Sequence, residues 1–417
     1  MSDTFRRRPF LVVSGTLTLF LFGASAPTPL YVVYQARFAF SPTTLTAIFG
    51  VYALALLLTL VPAGGLSDQL GRRPVILGAI TIQAAAMVLF LLADGTPMLF
   101  AARIVQGVAT GAATGALSAA LIDFQPAGST VGALTASVAP PIGLALGAVC
   151  AGVLVQLGTA PLRLVYWVQL AGLALAAAGV AVAVPETIVE PHKRAVGLEF
   201  RINVPTSARR AFIALTPGLM ASWALAGLFL SLGPSLAVVL LHSRSHVLGA
   251  LVPATLCFIT AIASFATRRW SGRRAVLTGT MLLAVGVLIS LVGIRASSAV
   301  FLFTGTAVAG LGFGPAFAGS FRTLAPLAPP QARAGLLAAV YVVSYLAFAV
   351  PAIVAGLAAT EWGLRGSASG YAVAVVVLAL AAAGLTARRP PDPLTPGLAI
   401  DRAAGGSAER GRTRPVS

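Results

Sequence analysis

The amino-acid sequence predicts an all-α membrane protein whose 12 transmembrane helices form two pseudo-repeated bundles of six. The chain of 417 residues is 58% hydrophobic and only 9% charged, with a mean hydropathy of +0.93. Its apolar runs are long enough to cross a bilayer, and short sequences recur in its two halves. A chain with so little charge cannot cover all of its apolar surface in water, so lipid is its expected solvent.

Twelve apolar segments follow one another along the chain, separated by short polar connections. A helix needs about 20 apolar residues to cross the hydrocarbon layer. The runs are continuous and do not alternate every second residue, which favours helices over the strands of a barrel. The predicted spans are 10–35, 43–63, 74–93, 97–122, 130–157, 164–185, 211–241, 246–267, 275–294, 298–321, 334–358 and 368–387.

The two halves of the sequence resemble each other. LFGASAPT at 21–28 resembles LFLSLGPS at 228–235, and GRRPVIL at 71–77 resembles GRRAVL at 272–277. Gly132 and Gly335 also each open a span, and the interval between them is close to the interval that separates the members of the two sequence pairs. This recurrence predicts one bundle over 10–185 and another over 211–387, joined by a cytoplasmic linker over 186–210. Residues 1–9 are the expected cytoplasmic N-terminus, and the Pro-, Gly- and Arg-rich segment 388–417 is an expected disordered tail.

Most of the 28 Lys and Arg residues occur in one set of connections. Connections rich in Lys and Arg stay in the cytoplasm, so we expect a multi-pass protein of the cell (plasma) membrane with both termini cytoplasmic. The net charge of +17 follows from this topology, and no basic stripe with interleaved aromatic residues indicates a nucleic-acid partner. The opposite connections contain Arg37, Arg163, Arg244, Arg295 and Arg365.

The connection between the second and third spans concentrates charge and glycine in the sequence GGLSDQLGRR at 64–73. It resembles the signature G-x-L-[ST]-D-x-x-G-R-[KR] of the major facilitator superfamily, and the resemblance covers the whole hydrophobic part of the chain. It implies a transporter in which Gly64, Asp68, Gly71, Arg72 and Arg73 form a cytoplasmic gate. The simpler interpretation of Arg72 and Arg73 alone is a basic loop that fixes topology.

The fourth span contains a second match to the family, R-x-x-Q-G, at Arg103, Gln106 and Gly107. An arginine within a span is costly and marks a functional site that faces the bundle interior. Arg103 could accept neutral partners, bind an anionic group of the substrate, or extend to the outer interface. Asp123, at the cytoplasmic end of this helix, also matches a common family position, either for coupling or for charge pairing.

The fifth span contains ASVAPPIGLALG at 136–147, which resembles a degraded antiporter signature. Pro140, Pro141 and Gly143 predict a bend in this helix, and the resemblance implies export. In the family, helices 1, 4, 7 and 10 line the substrate path. The expected cavity residues are Tyr31, Tyr34, Gln35, Trp223, Ser231, Tyr341 and Tyr345.

These observations predict a monomeric secondary transporter that moves a small amphipathic molecule out of the cell, coupled to protons. No Asp, Glu or His occurs in the interior of a predicted span, so the proton carrier is expected at an edge, at Asp68 or Asp123, or on the substrate. The alternative is an uptake or exchange carrier for an organic anion or a sugar. An enzyme or a non-transporting sensor is a further alternative, but no enzyme motif supports the former.

Two cysteines, Cys150 and Cys257, lie singly within predicted spans. Isolated thiols in such positions are expected to pack against neighbouring helices rather than to form a disulfide. The sequence predicts neither a metal site nor a cofactor.

Overall fold

The computed structural model describes residues 3–63, 66–126, 128–186, 202–241 and 245–388, and these ranges contain helices and no strand. The helices are α1 Asp3–Ser25, α2 Pro27–Phe38, α3 Pro42–Ala63, α4 Leu66–Leu70, α5 Arg72–Leu91, α6 Thr96–Phe124, α7 Val131–Leu157, α8 Leu164–Ala183, α9 Thr206–Ser231, α10 Gly233–Leu241, α11 His246–Ala266, α12 Gly272–Ala296, α13 Ala299–Leu324 and α14 Pro330–Ala387. A 3-10 turn at Ala325–Leu327 precedes α14.

Eleven helical stretches in the described ranges are long and apolar enough to cross a membrane. The last of them lies within α14, which has 58 residues. A straight helix of that size would measure about 87 Å, far more than the roughly 30 Å of a hydrocarbon core. Gly363 interrupts α14 with a φ of 69° and a ψ of 167°, so α14 contains two spans, at the predicted positions. The predicted fold class is therefore confirmed.

Two of the spans are broken by proline at matching places in the two halves. α1 ends at Ser25 before Pro27, and α9 ends at Ser231 before Pro234. Proline has no backbone N–H, so it cannot donate to the carbonyl four residues before it and interrupts the helix. In the first half this leaves the carbonyl of Gly23 without its helical donor.

Glycine allows neighbouring helices of the first bundle to approach closely. Gly107 and Gly111 of α6 lie against the backbone of α3, at the carbonyl oxygens of Tyr52 and Leu56. A side chain at either position would collide with that backbone, which is why two α-helices can meet here at such a short distance.

The two predicted bundles meet along two pairs of helices. α3 packs against α14, and α7 packs against α11. We call the end of the molecule that contains residues 66–71 and 267–271 the basic end, and the end that contains 39–41 and 158–163 the opposite end. Residues described on both sides of the interface form three hydrogen bonds, all near the opposite end. These are Thr43 Oγ1 to the Gly356 carbonyl (3.1 Å), Ser245 Oγ to Gln156 Oε1 (2.8 Å) and the Val247 amide to Gln156 Oε1 (3.3 Å).

Several helices begin earlier than the predicted spans, and two of them extend into segments that were predicted to lie outside the bundles. α1 begins at Asp3, within the segment 1–9, and α9 begins at Thr206, within the segment 186–210. Adding residues to an existing helix costs little, so a helix can continue beyond the apolar segment that the sequence reveals. Residues 187–201 of the predicted linker and 389–417 of the predicted tail lie outside the described residues.

Candidate functional site

Near the basic end, a short helix leads into a turn that is capped by a distant carboxylate. Gly71 has a φ of +100°, a conformation that favours glycine, and a side chain here would collide with the Glu186 carboxylate. The Glu186 oxygens accept hydrogen bonds from the amides of Arg72 (3.0 Å) and Arg73 (3.1 Å), at the N-terminus of α5. A negative charge at a helix N-terminus is favourable because the helix dipole is positive there. Gly64 lies outside the described residues, as does the side chain of Asp68.

Arg72 joins three parts of the first bundle. Its Nε donates to Asp123 Oδ2 at 3.1 Å, and its Nη1 donates to Ser67 Oγ at 2.6 Å. Arg73 donates to the carbonyl of Ala181 in the last turn of α8. We call Ser67, Arg72, Arg73, Asp123 and Glu186 the basic-end network; it connects the ends of α4, α5, α6 and α8.

The second half contains a reduced version of this network. Arg273 Nη2 donates to the carbonyl of Ala387 at 3.0 Å, in the last turn of α14, as Arg73 does to α8. Ser271 Oγ accepts from the Arg274 amide, where Glu186 caps the first copy. Arg322 stands near the end of α13, where α6 has Asp123, and it donates to the carbonyl of Arg268.

Arg103 lies fully buried within the first bundle. Its Nη1 donates to the carbonyl of Ala24 at 3.0 Å and to Gln106 Oε1 at 2.6 Å. Gln106 Nε2 in turn donates to the carbonyl of Gly23 at 2.8 Å, the group that Pro27 deprives of its helical donor. The break between α1 and α2 therefore supplies part of the polar environment of the arginine.

Two tyrosine rings complete the surroundings of Arg103. Its guanidinium carbon lies 4.6 Å from the ring centroid of Tyr52 and 5.6 Å from that of Tyr31. Aromatic faces attract cations, and the attraction strengthens when both groups are removed from water. Three polar atoms here make no hydrogen bond of normal geometry among the described residues: Arg103 Nε, Arg103 Nη2 and the hydroxyl of Tyr31, although that hydroxyl lies close enough to the guanidinium to interact with it. We call Arg103, Gln106, Tyr31 and Tyr52, with the carbonyls of Gly23 and Ala24, the Arg103 centre.

The second bundle contributes a continuous group of aromatic side chains. Trp223 of α9 lies 4.7 Å from Tyr345, 5.6 Å from Phe317 and 6.0 Å from Phe348 between ring centroids. Tyr341 extends the group, at 6.3 Å from Tyr345 and 5.8 Å from Phe321. We call Trp223, Phe317, Phe321, Tyr341, Tyr345 and Phe348 the aromatic cluster. The Trp223 Nε1 is buried without a hydrogen-bond partner among the described residues.

Tyr52 connects the Arg103 centre, of which it is a member, to the aromatic cluster. Tyr341 and Tyr345 pack against a buried group formed by Ala24, Tyr52 and two leucines of α3. The ring centroid of Tyr52 also lies 4.6 Å from the guanidinium carbon of Arg103. The two sets of residues are thus neighbours across the interface between the bundles.

The remaining predicted cavity residues lie elsewhere. Tyr34 is buried and its hydroxyl donates to that of Tyr166 at 3.3 Å. Gln35 Nε2 donates to the carbonyl of Phe40 at 3.1 Å, in the connection before α3. Ser231 donates to the carbonyl of Gly227 in its own helix. The structure brings none of these three into the aromatic cluster or the Arg103 centre.

The proline pair of the fifth span lies inside an unbroken helix. α7 runs from Val131 to Leu157 and includes Pro140 and Pro141. Gly143 lies directly against the backbone of α1 at Thr18, so this glycine allows close packing. The bend remains a prediction.

Several residues of these sites were not identified from the sequence. Phe317 and Phe321 recur four residues apart on α13, so a helical pattern of aromatic residues could have indicated them. No comparable signal pointed to Tyr52, or to Glu186 as a helix cap. Gln83 and Gln169, both buried around Gly23, also have amide atoms without partners among the described residues.

The described residues contain no group of three or more His, Cys, Asp or Glu side chains that could hold a metal ion. Cys150 and Cys257 are free thiols.

Comparison with known proteins places this geometry among transporters. A family model described as Major Facilitator Superfamily matches residues 11–277. No curated protein matches the chain significantly. The chain resembles the crystal structure of a bacterial homologue to the human lysosomal transporter Spinster in an inward-facing and occupied conformation, with a TM-score of 0.74 and 15% identity. That match covers 95% of this chain and 100% of the other. The inward-facing and unoccupied form of such a homologue gives a TM-score of 0.72 and 16% identity over 94% of this chain and 100% of the other.

Proposed function

Since the chain belongs to the major facilitator superfamily, and is therefore a secondary transporter rather than an enzyme, we propose that it exports small amphipathic molecules in exchange for protons. The aromatic cluster is the observation that carries this proposal. It joins α9, α13 and α14 beside the interface between the bundles, and it offers ring faces with few polar groups. Such a surface suits a molecule with a flat or apolar body.

Transport then follows from alternating exposure of this surface to the two sides of the membrane. Hydrogen bonds between the bundles near the opposite end support the assignment of this structure to a state that is closed there. In the proposed cycle, the two bundles rock about the aromatic cluster, so that the opposite end opens when the basic end closes. The helices that meet at the interface, α3 with α14 and α7 with α11, slide against each other during this motion.

The basic-end network is the proposed gate. Arg72 holds Asp123 and Ser67, while Glu186 holds the first amides of α5, so the turn at Gly71 has a defined conformation. We assign Gly64, Asp68, Gly71, Arg72 and Arg73 to this gate. Closing the basic end requires the loop to keep this shape when the second bundle approaches.

The Arg72–Asp123 pair offers a route for energy coupling. The two side chains are 13% and 32% exposed, so a proton from the basic side can reach the carboxylate. A proton on Asp123 Oδ2 would remove the charge that Arg72 contacts at 3.1 Å and loosen the loop. We propose Asp123, with Asp68, as the carriers of the coupling proton.

The working protein is proposed to be a monomer in the plasma membrane, with both termini in the cytoplasm. In this orientation the basic end is cytoplasmic, as the distribution of arginine favours. Reporter fusions after Arg388 and within the connection 158–163 should then report the cytoplasm and the outside, respectively.

Accumulation in cells tests the proposed direction and energy source. Cells with and without the gene are loaded with fluorescent amphipathic dyes that include cationic, neutral and anionic members, with and without an uncoupler. Lower accumulation when the gene is present, reversed by the uncoupler, is the expected result. Higher accumulation would instead favour the uptake or exchange carrier, and unchanged accumulation of every dye would favour a sensor.

A tryptophan pair provides the matched control for the site. Trp223→Ala removes the centre of the aromatic cluster and should abolish export. Trp167→Ala removes a tryptophan of α8 that is 59% exposed, and export should be retained. Equal export by the two variants would contradict the role of the cluster.

A further inference from the structure

We infer that Arg103 binds the carboxylate of the transported molecule, so that the substrates are aromatic or apolar monocarboxylates. The inference rests on the proposed export of amphipathic molecules and adds the charge of the substrate. It is based on which nitrogens of the buried Arg103 guanidinium make hydrogen bonds and which do not.

The hydrogen bonds of normal geometry that Arg103 makes all come from one of its nitrogens, Nη1. Nη1 donates to both the Ala24 carbonyl and Gln106 Oε1, which fully occupies its two N–H groups. Nε and Nη2 make no hydrogen bond of normal geometry among the described residues. These two nitrogens share one edge of the planar guanidinium, and such an edge can bind both oxygens of a carboxylate in parallel.

The charge of Arg103 is not balanced by an acid of the described chain. The salt bridge that the described residues form joins Arg72 to Asp123, near the far end of α6, and the contacts of Arg103 are with neutral groups. A buried cation is costly without an anionic partner, and within a membrane span it marks a functional site. A neutral ligand would leave this cost in place, whereas a carboxylate would offset it.

The neighbours of Arg103 extend the match to an amphipathic anion. The hydroxyl of Tyr31 lies near the guanidinium and makes no hydrogen bond of normal geometry among the described residues, so its O–H offers a third donor there. Tyr52 contacts Arg103 and belongs to the buried group against which Tyr345 of the aromatic cluster packs. A molecule whose body stacks in the cluster would have its carboxylate directed at Arg103 once the Tyr52 ring turns aside.

Paired acids and amides isolate the contribution of the charge. Purified protein in detergent is titrated with 2-naphthoate, 4-phenylbutyrate and indole-3-acetate, and separately with the primary amide of each. Isothermal titration calorimetry and thermal stability report binding. The acids should bind about 10- to 100-fold more tightly than their amides, the range expected for hydrogen bonds to charged groups.

Two variants of Arg103 and a matched control test whether Arg103 causes the preference for acids over amides. Arg103→Gln should bind acid and amide equally. Arg103→Lys keeps the charge but loses the parallel fork, so it should retain a reduced preference for the acid. Arg37→Gln, which removes an exposed arginine of α2, should bind as the wild type does. The lysine variant keeps the test valid if the glutamine variant fails to fold.

The outcomes separate this inference from the proposed function. Equal binding of every acid and its amide, or a preference that survives in Arg103→Gln, would overturn the carboxylate site while leaving export of other amphipathic molecules intact. An Arg103-dependent stabilisation by sodium chloride as strong as that by the acids would also overturn it, in favour of an inorganic anion. An Arg103-dependent preference for acids in a protein that fails the accumulation assay would support the site and contradict export.

Discussion

Glu186 and Arg103 illustrate how single residues in this protein derive their roles from distant backbone groups. Glu186 accepts hydrogen bonds from two amides more than 100 residues earlier in the chain. Arg103 donates to the Ala24 carbonyl, next to the break between α1 and α2, and Gln106 donates to the neighbouring carbonyl of Gly23. The amides that Glu186 binds and the Gly23 carbonyl that Gln106 binds are groups that a helix leaves unsatisfied at its end, and each receives a side chain as its partner.

The acid of the gate motif can be tested by a substitution that preserves its size. Asp68→Asn should leave the protein in the membrane but abolish export, because the loop loses the carboxylate that the proposed gate requires. The measurement is dye export at matched membrane abundance. Asp94→Asn, the same change in an exposed connection near the opposite end, is the control and should export normally. Normal export by Asp68→Asn would remove the gate role.

The partner of Arg72 tests the coupling step separately. The Arg72–Asp123 pair is partly exposed, so Asp123→Asn should lower the stability by no more than about 1 kcal/mol. Export should nevertheless lose its dependence on the proton gradient, because the amide that replaces the carboxylate cannot exchange a proton. Thermal unfolding measures the first effect, and export with and without an uncoupler measures the second. Export that remains fully sensitive to the uncoupler would assign the proton to another group.

Packing between helices depends on where glycine meets a neighbouring backbone. Gly111 of α6 lies against the Leu56 carbonyl of α3, whereas Gly78 of α5 has no atom within 4 Å of the position that a methyl group would occupy. Both residues lie within apolar helices, but Gly111 recurs with Gly107 and Gly115 every four residues, a spacing that predicts a close-packing face, whereas Gly78 has no such neighbours. The same amino acid is therefore required at one position and optional at the other.

The same substitution at these two glycines should act in opposite directions. Gly111→Ala forces α3 and α6 apart and should cost about 1–3 kcal/mol, as overpacking does in other cores. Gly78→Ala meets no neighbour and should be neutral or stabilising, because alanine favours a helix by up to about 1 kcal/mol over glycine. Thermal unfolding in detergent compares the two. Equal effects would contradict the close contact between α3 and α6.

At the scale of the whole molecule, the two bundles approach each other through small residues near the opposite end. Gly356 of α14 lies directly against Thr46 of α3, and Thr43 binds the Gly356 carbonyl. Gly152 of α7 makes a similar approach to Ala250 of α11. Small residues thus allow the two bundles to close on each other at this end, as the proposed cycle requires.

A larger residue at this contact should shift the conformational equilibrium. Gly356→Val should wedge α3 and α14 apart, favour a state open at the opposite end, and reduce export. Spin labels at positions 41 and 360, in a chain with Cys150 and Cys257 replaced by alanine, should report a longer distance. Gly370→Val changes a glycine of the same helix that has open space around it, and should leave the distance unchanged. An unchanged distance in Gly356→Val would show that this contact does not hold the bundles together.

The sequence by itself determined the properties that depend on neighbouring residues. Hydropathy over about 20 residues identifies a span, so the twelve segments and their polar connections could be read directly, apart from helix ends that extend beyond the bilayer. The residues of the sequence motifs, and Arg103 as an arginine that is costly to bury in a membrane span, were also evident, because each is an unusual residue type in its local sequence.

Only the tertiary structure decided which of those residues meet. The partners of Arg103, the cap at Glu186, the position of Tyr52 and the aromatic cluster all join segments far apart in the chain, and Gln35 and Ser231 proved to have local partners instead. Contacts of this kind depend on how helices rotate and approach, which side-chain volume and glycine positions set collectively. The apolar faces of the helices are so uniform that many rotations satisfy the hydropathy pattern equally well, so this pattern cannot select among them.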